Sequence, residues 1–302
     1  MKSPRVAIHL TNVQALYGGD LAPVIDYVRA ADERGIDQVS LADHVVVHAG
    51  GARDYQYGNF PPMDFPWYEP LIALAGIATV TRRIRLSTGI LIAPLRPAAL
   101  LAKQLATLDV LSGGRVDAGF GVGWMREEYA ACGVPFEGRF ALLEEQIAAC
   151  RALWREAPAR FEGKRLRFED MHDAPRPVQA GGIPVWLGFS PGPRAFERMA
   201  RYADGWIRPD PDPVKQGADI RALRAAFVAQ GRGADELTVR GQVTPVAGPG
   251  GGVDIPATLA RAADYRAAGV DVLEFYPGRL CREASELIPL LDAIMDVKRS
   301  LA

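Results

Sequence analysis

The adjacent pair Asp43-His44 is the clearest candidate for acid–base chemistry in this 302-residue chain. The pair directly follows an apolar segment at 37–42, which predicts a strand. A histidine donates or accepts a proton near neutral pH, and a neighbouring carboxylate can orient its imidazole ring. The alternative is structural, with Asp43 capping a turn and His44 packing against its surroundings. The residues alone leave both interpretations open.

Two glycine-containing segments follow other predicted strands. Gly121 and Gly123 leave the backbone bare after a strand at 115–121, although a tight turn explains this spacing equally well. The second segment, LGFSPGPRAF at 187–196, leads into a predicted helix. Helix N-termini bind phosphate through free N–H groups and the helix dipole. We therefore predict phosphate contacts at four of its residues, Gly188, Phe189, Ser190 and Gly192.

Aromatic residues are concentrated in a long loop at 43–68, which is also rich in glycine and proline. Loops of this length inside a compact domain are usually lids or binding walls. Trp67 and Tyr68 in this loop, together with Trp124, are therefore candidate substrate contacts. The alternative is that these rings belong to the core. The other aromatic residues of the loop are Tyr55, Tyr57, Phe60 and Phe65.

The elements that must position these residues are short apolar segments alternating with helical patterns. The predicted strands are 5–11, 37–42, 84–92, 115–121, 184–188, 205–208, 237–246 and 271–276. The predicted helices are about 20–34, 69–82, 97–111, 138–155, 191–203, 212–230, 256–268 and 283–300. This alternation is typical of parallel strands joined by helical crossovers. Eight such units favour a closed (β/α)₈ TIM barrel of the α/β class over an open sheet.

One predicted helix shows its buried face and its end in the sequence. Leu101, Leu105, Leu108 and Leu111 are spaced by three and four residues, which predicts a single apolar stripe. Ser112-Gly113-Gly114 ends the helix, because glycine enters left-handed backbone conformations without a Cβ penalty.

Composition excludes several classes of function. The formal net charge is −1 and basic runs are absent, which argues against a nucleic-acid partner. Hydrophobic residues make up 49% of the chain, but no apolar run reaches membrane-spanning length and no signal peptide is visible. Three separated cysteines fit a reducing cytoplasm, and four unpaired histidines predict no metal site.

The whole chain, 1–302, is expected to form one domain with two interruptions. The first is the loop at 43–68. The second, at about 156–183, contains the hairpin pattern ARFEGKRLRFED followed by a proline-rich passage, and we interpret it as an insertion.

Four segments in order resemble the luciferase-like monooxygenase superfamily, in particular its branch of probable coenzyme F420-dependent oxidoreductases. The segments are LADHVVV at 41–47, RIRLSTGILIAPLRPAALLAKQLATLDVLSGGR at 83–115, GFGVGWMREEYAACGVPFEGR at 119–139 and PVWLGF…ARYADGWI at 184–207. They extend over about two-thirds of the chain. The resemblance implies a (β/α)₈ barrel with insertions, which agrees with the strand and helix pattern.

The resemblance also implies roles for particular residues. An acidic residue followed by histidine, here Asp43-His44, is the pattern of F420-binding members, in which the histidine lies beside the reactive ring. Thr88, Gly89 and Ile90 correspond to a bulge with a non-prolyl cis peptide, between Gly89 and Ile90, that backs the cofactor. The alternative for this segment is a plain buried strand.

Arg139 matches a position that contacts the cofactor phosphate in luciferase-like relatives. The alternative is an Arg139–Glu145 surface pair. The phosphate loop departs from the family, because the usual Gly-Gly-Ser is Gly188-Phe189-Ser190 and two prolines follow. Each proline removes one N–H donor.

A second departure concerns the proton donor. Sugar-phosphate dehydrogenases of the superfamily carry a glutamate just after the GxG exit, where this chain has Trp124-Met125-Arg126. Glu127 and Glu128 stand close behind, but the general acid beyond His44 stays unnamed.

The resulting hypothesis is an F420-dependent oxidoreductase that transfers a hydride between the deazaflavin and a small organic substrate. The alternatives are an FMN-dependent monooxygenase supplied by a partner reductase, and a non-catalytic flavin-binding barrel. The resemblance further implies a homodimer.

Overall fold

The computed structural model describes residues 3–51, 55, 60–209 and 212–302. Tyr57 of the aromatic loop lies outside the described residues. Among the described residues, no helix combines the length and apolar character needed to cross a bilayer.

The strands form a closed parallel barrel, as the sequence predicts. The barrel strands are β1 Arg5–His9, β2 Gln38–Leu41, β3 Arg85–Thr88, β4 Leu91–Ile92, β5 Val116–Gly121, β8 Val185–Leu187, β9 Gly205–Arg208, β10 Thr238–Gln242 and β13 Val272–Phe275. Around the barrel, neighbouring strands follow the order β1, β2, β3, β5, β8, β9, β10 and β13, and β13 pairs back with β1. The segment predicted as one strand at 84–92 is interrupted, so β3 and β4 are two parts of one barrel position and both pair with β5.

Helices connect the barrel strands and cover the outside of the barrel. They are α1 Ala22–Arg34, α2 Pro70–Val80, α3 Ala98–Ser112, α4 Arg126–Ala131, α5 Arg139–Arg155, α6 Pro193–Tyr202, α7 Pro213–Ala229, α8 Ile255–Ala260, α9 Ala262–Ala267, α10 Pro277–Leu280 and α11 Leu287–Ser300. The helix predicted at 256–268 is divided into α8 and α9, which meet at Arg261.

The predicted hairpin is confirmed. Strands β6 Ala159–Glu162 and β7 Arg167–Met171 pair antiparallel between α5 and β8. A smaller antiparallel pair, β11 Val246–Ala247 and β12 Val253–Asp254, lies between β10 and α8. Neither pair belongs to the barrel sheet.

Helix α3 shows where periodicity succeeds and where it fails. Leu101, Leu105 and Leu108 are buried as predicted, but Leu111 is 49% exposed. At about 100° per residue, Leu111 lies about 80° from Leu101, at the edge of the stripe, whereas Ser112 lies near its centre. Ser112 is accordingly buried, and Gly113 ends the helix with a left-handed φ of 70°.

The barrel interior contains charged side chains that satisfy one another. Arg240 is fully buried, donates from Nη1 to Gln38 Oε1 at 2.8 Å, and pairs through Nε with Glu274 Oε1 at 3.2 Å. Gln38 donates in turn to Asp117 Oδ2 at 2.7 Å, and Arg85 binds both oxygens of Asp117. Burial of these charges is tolerated because each is paired and hydrogen-bonded. The network joins five barrel strands.

Asp32, near the end of α1, fixes the entry to β3. Its carboxylate accepts N–H groups of three consecutive residues, Arg82 at 2.8 Å, Arg83 at 2.9 Å and Ile84 at 2.6 Å. Burial alone would raise the pKa of Asp32, but these backbone donors and the charge of Arg83 together lower it below its usual value.

We expect Asp32→Asn to lower the free energy of unfolding at pH 7 by about 1–3 kcal/mol, because three N–H groups lose a charged acceptor. Since the folded-state pKa is the lower one, this contribution is complete above about pH 4 and is lost as the pH falls through the folded-state value. Urea unfolding at pH 7 and near pH 3 measures whether the gap to wild type closes in acid. Asp26→Asn, on the exposed face of α1, is the matched control and should change stability by less than about 0.5 kcal/mol. An equal loss at both pH values would contradict this assignment.

Candidate functional site

A cavity of about 820 Å³ opens where the barrel strands end. Its volume lies in the upper part of the usual range for ligand sites, about 300–1,000 Å³. Residues that follow different strands contribute to its wall, which is the arrangement found in barrel enzymes. Of the predicted site residues, those that line it are Asp43, His44, Trp67, Gly89, Ile90, Gly121, Gly123, Trp124, Arg139, Gly188, Phe189 and Ser190.

Three predicted site residues lie outside this wall. Thr88 is buried and its hydroxyl donates to the carbonyl of Gly119 at 2.6 Å, within the sheet. Gly192 precedes α6 and does not line the cavity. Tyr68 donates its hydroxyl to the carbonyl of Gly19 and lines a much smaller pocket. We therefore leave these three out of the site.

His44 is held by a carboxylate that sequence reasoning left without a role. Its Nδ1 lies 3.0 Å from Oε2 of Glu128, and the other carboxylate oxygen accepts the N–H of Val45 at 2.7 Å. His44 and Glu128 are both buried, with 8% and 1% exposure. Since Nδ1 is engaged, Nε2 is the ring nitrogen left for a ligand in the cavity.

Asp43 does not orient the imidazole, which corrects one of the roles considered for it. Its carboxylate forms a two-point ion pair with Arg96, at 2.7 and 3.0 Å, and also accepts the N–H of Ile92 at 2.9 Å. Arg96 extends to Glu69 at 2.9 Å, the residue that caps α2. Burial alone would lower the pKa of Arg96, but the two carboxylates raise it, so the guanidinium stays charged.

Three aromatic side chains surround the imidazole of His44, and a fourth packs against two of them. Trp67, Phe60 and Trp124 lie with ring centroids 4.7, 5.7 and 6.0 Å from it, each in an edge-to-face arrangement. Tyr55 contacts Phe60 at 5.2 Å and Trp124 at 5.6 Å. All four line the cavity and are half-buried, and we call them the aromatic cluster.

The floor of the cavity is formed by Gly89, Ile90 and the glycines beneath Ile90. The peptide bond between Gly89 and Ile90 is cis, as the resemblance implied. A Cβ atom at Gly121 would meet Ile90 Cδ1 at 2.6 Å, and one at Gly188 would meet Ile90 Cγ2 at 2.5 Å. These two glycines are therefore required because a side chain at either position would collide with Ile90. The sequence interpretation had instead explained them as exposed backbone for a ligand.

His9 lines the cavity and supports its floor, and it was not identified from the sequence. Its Nδ1 accepts the N–H of Thr11 at 3.1 Å, so Nε2 carries the proton that is donated to the carbonyl of Gly89 at 3.0 Å. Burial lowers the pKa of His9, and its ring stacks on Tyr276 with centroids 4.3 Å apart. The available signal was its position as a polar residue at the end of a barrel strand.

Arg139 lines the cavity at the start of α5, and the next residue, Phe140, contacts Phe189 of the predicted phosphate loop with ring centroids 5.5 Å apart. The guanidinium of Arg139 packs 3.7 Å from the ring centroid of Phe136, and burial lowers its pKa. Among the described residues its Nε has no hydrogen-bond partner. The alternative Arg139–Glu145 pair is wrong, because Glu145 instead accepts the backbone N–H groups of Arg165 and Leu166 in the hairpin region.

Other arginines line the same part of the cavity. Arg198 is paired with Glu144 at 2.5 Å, and Arg194 is exposed near the start of α6. Pro191 and Pro193 remove backbone donors from this loop, so positive side chains supply much of its capacity to hold an anion.

Comparison with known proteins places this geometry in a family context. A family model described as luciferase-like monooxygenase matches residues 5–279. An uncharacterised protein of Mycobacterium tuberculosis is 35% identical over 225 residues, which cover 74% of this chain and 75% of that protein.

Two further relatives carry cofactor names. An F420-dependent glucose-6-phosphate dehydrogenase of Amycolatopsis mediterranei is 31% identical over 61% of this chain and 52% of that protein. An FMNH₂-dependent dimethylsulfone monooxygenase of Pseudomonas putida is 32% identical over 53% of this chain and 45% of that protein.

A solved structure agrees over nearly the whole length. The coenzyme F420-dependent tetrahydromethanopterin reductase of Methanopyrus kandleri superposes with a TM-score of 0.74, covering 96% of this chain and 97% of that one. At 17% identity this likeness shows the fold alone.

We expect Gly188→Ala to destabilise the protein by about 1–3 kcal/mol, because its methyl group overpacks against Ile90. Thermal or urea unfolding measures the effect of Gly188→Ala in two backgrounds. In the Ile90→Ala background the same substitution should cost much less stability than in the wild type. Gly192→Ala is the matched control, since nothing lies within 4 Å of a Cβ at that position. Additive effects of the two substitutions would mean that Ile90 is not the reason for this glycine.

Proposed function

The chain belongs to the luciferase-like monooxygenase family, and we propose that it is an oxidoreductase that transfers a hydride between coenzyme F420 and a small organic substrate. The observation that carries the proposal is the buried His44–Glu128 pair, which leaves one imidazole nitrogen for a ligand in a large cavity. Proton transfer at that nitrogen is the step that hydride chemistry on a carbonyl or an alcohol requires from the protein.

The residues present fit a ring system with an anionic tail. Ile90 offers an apolar surface for the ring, and its side chain packs against the backbones of Gly121 and Gly188. Arg139 offers a buried Nε that has no hydrogen-bond partner within the described part of the chain, and Ser190 and Arg194 also line the cavity. These residues would hold the ring and its phosphate, with Arg139 supplying charge-assisted hydrogen bonds that the two prolines cannot.

When bound, the deazaflavin ring supplies the carbon that accepts or releases the hydride. In the reducing direction a substrate carbonyl carbon gains the hydride and its oxygen gains a proton, and in the oxidising direction both leave. His44 Nε2 is the atom that we assign to hold this proton. Glu128 fixes the imidazole through Nδ1, and the aromatic cluster excludes water from the reacting atoms.

A second candidate is an FMN-dependent monooxygenase supplied with reduced flavin by another enzyme. This candidate is supported by the FMNH₂-dependent relative, whose sequence identity to this chain is similar to that of the F420-dependent relative. The Asp43-His44 pattern, which resembles F420-binding members, is the reason to prefer F420. A third candidate, a flavin-binding barrel without activity, differs from both in that substitution of His44 would change no reaction.

The test is an equilibrium titration of the purified protein with F420 and, separately, with FMN, followed by fluorescence. Binding of F420 with a micromolar or lower Kd, about −8 kcal/mol or tighter, and much weaker binding of FMN would support the proposal. Preference for FMN would favour the monooxygenase. Failure to bind either would overturn both.

We expect His44→Ala to lower turnover by about 10²-fold or more while the affinity for the cofactor stays within about tenfold, since the loss is that of a proton-transfer group. Steady-state kinetics and the cofactor titration measure the two quantities. His48→Ala, an exposed histidine in the same loop, is the control and should retain turnover. Unchanged turnover in His44→Ala would remove this residue from the mechanism.

We expect Arg139→Ala to weaken binding of F420 by roughly tenfold to a hundredfold, the usual range for a lost charge-assisted hydrogen bond. Binding of the phosphate-free ring and ribityl fragment should change little. Arg201→Ala, an exposed arginine on α6 outside the cavity wall, is the control for loss of one positive charge. Equal losses for both ligands would give Arg139 a structural role instead.

A further inference from the structure

We propose that the substrate is an uncharged, flat molecule of about one aromatic ring, whose carbonyl or hydroxyl oxygen meets His44 Nε2 within the aromatic cluster. This assignment rests on the proposed function for the identity of the reacting group. The binding preference itself follows from the residues of the cavity wall and does not depend on the cofactor.

The aromatic cluster presents apolar surface to the cavity. Tyr55, Phe60, Trp67 and Trp124 are each half-buried and each line the cavity, so part of every ring faces the space where a ligand would sit. Apolar surface left facing water is unfavourable, and a flat apolar ligand removes it from water. Offset or edge-to-face ring contacts add a directional preference for a second aromatic ring.

The cluster encloses the same imidazole that carries the chemistry. Its members come from two separate segments, 55–67 in the long loop and Trp124 after β5. Trp67 and Trp124 contact His44 directly, and Phe60 contacts both of them, at 6.1 and 5.7 Å. A ring bound among them would have its substituent next to His44, which is the proximity that catalysis requires.

Carboxylates near His44 disfavour an anionic group beside its imidazole, whereas the arginines of the wall other than Arg126 lie on other segments. Glu128 is bonded to His44, and Glu127 also lines the cavity. Arg126, on the same wall, is paired with Glu137 and packs over Phe136. A negative group held next to His44 would therefore lie near the carboxylates of Glu127 and Glu128, which repel it.

A cationic ligand is the remaining alternative, because aromatic faces attract cations. A cation bound in the aromatic cluster would disfavour the protonated imidazole of His44, because the two positive charges would repel each other. The proposed reaction needs that proton. Neutral, anionic and cationic ligands can therefore be distinguished by comparing compounds that share one aromatic ring and differ only in charge.

The experiment compares acetophenone, benzoate and benzylammonium by ligand-observed NMR titration, with and without F420. The three probes share one phenyl ring and differ in charge, and glucose 6-phosphate serves as the polar anion. We expect acetophenone to bind at least tenfold more tightly than each of the others. Benzoate, benzylammonium or glucose 6-phosphate binding as tightly as acetophenone, or no binding of acetophenone, would overturn the proposal.

Variants show whether the probe is at the cluster. Trp67→Leu should weaken acetophenone binding by about tenfold, equivalent to about 1.4 kcal/mol, whereas Trp67→Phe should largely retain it. Phe161→Leu, a half-buried aromatic residue of the β6–β7 hairpin outside the cavity wall, is the control and should have no effect. Equal affinity in Trp67→Leu and wild type would place the probe elsewhere and overturn the assignment.

The two proposals fail in distinguishable ways. Binding of F420 without preference for acetophenone overturns only the substrate class. Preferential binding of acetophenone by a protein that binds neither F420 nor FMN overturns the proposed function and leaves an apolar ligand site.

Discussion

The site depends on one buried ion pair, between Asp43 and Arg96. It joins Asp43, two residues beyond β2, to the segment after β4, and through Glu69 it also reaches the N-cap of α2. Both partners are largely removed from water, so the loss of Arg96 would leave the Asp43 carboxylate without a charged partner, at a cost of about 3–5 kcal/mol. The loss of Asp43 would leave Arg96 paired with Glu69 alone. Since His44 is the next residue in the chain, this ion pair fixes the backbone position of His44. Glu128 fixes the orientation of its imidazole ring.

Polar side chains inside the barrel connect its strands to the cavity. Arg240, Glu274 and Asp117 belong to a network of ion pairs and hydrogen bonds that ties strands to one another, and Glu274 also lines the cavity. The rest of the wall is assembled largely from loops that follow different strands and can vary without altering the sheet. His9 also joins the sheet to the cavity, because its imidazole lies on β1 while its proton is donated to the floor of the cavity.

The sequence predicted features that local patterns encode. The alternation of strands and helices, the hairpin at 159–170 and the position of the interruption at Gly89-Ile90 are visible in residue type and spacing or in family resemblance. The partner of His44 was not predictable, because Glu128 is 84 residues away and its neighbour Glu127 looks equivalent in sequence. The helical register of α4 decides between them, since it buries Glu128 and leaves Glu127 exposed. Tyr68 lies outside the cavity wall, whereas its neighbour Trp67 lines it. The sequence does not distinguish these two aromatic residues, because the direction of each side chain depends on the backbone conformation of the loop.

The seating of Ile90 on Gly121 and Gly188 constrains how this site can change in evolution. The three residues belong to segments far apart in the chain, yet a side chain at either glycine would collide with Ile90. A lineage that acquires a larger residue at one glycine must first, or simultaneously, accept a smaller one at position 90. These positions should therefore be inherited as a unit, and the shape of the floor would be expected to change in discrete steps rather than gradually.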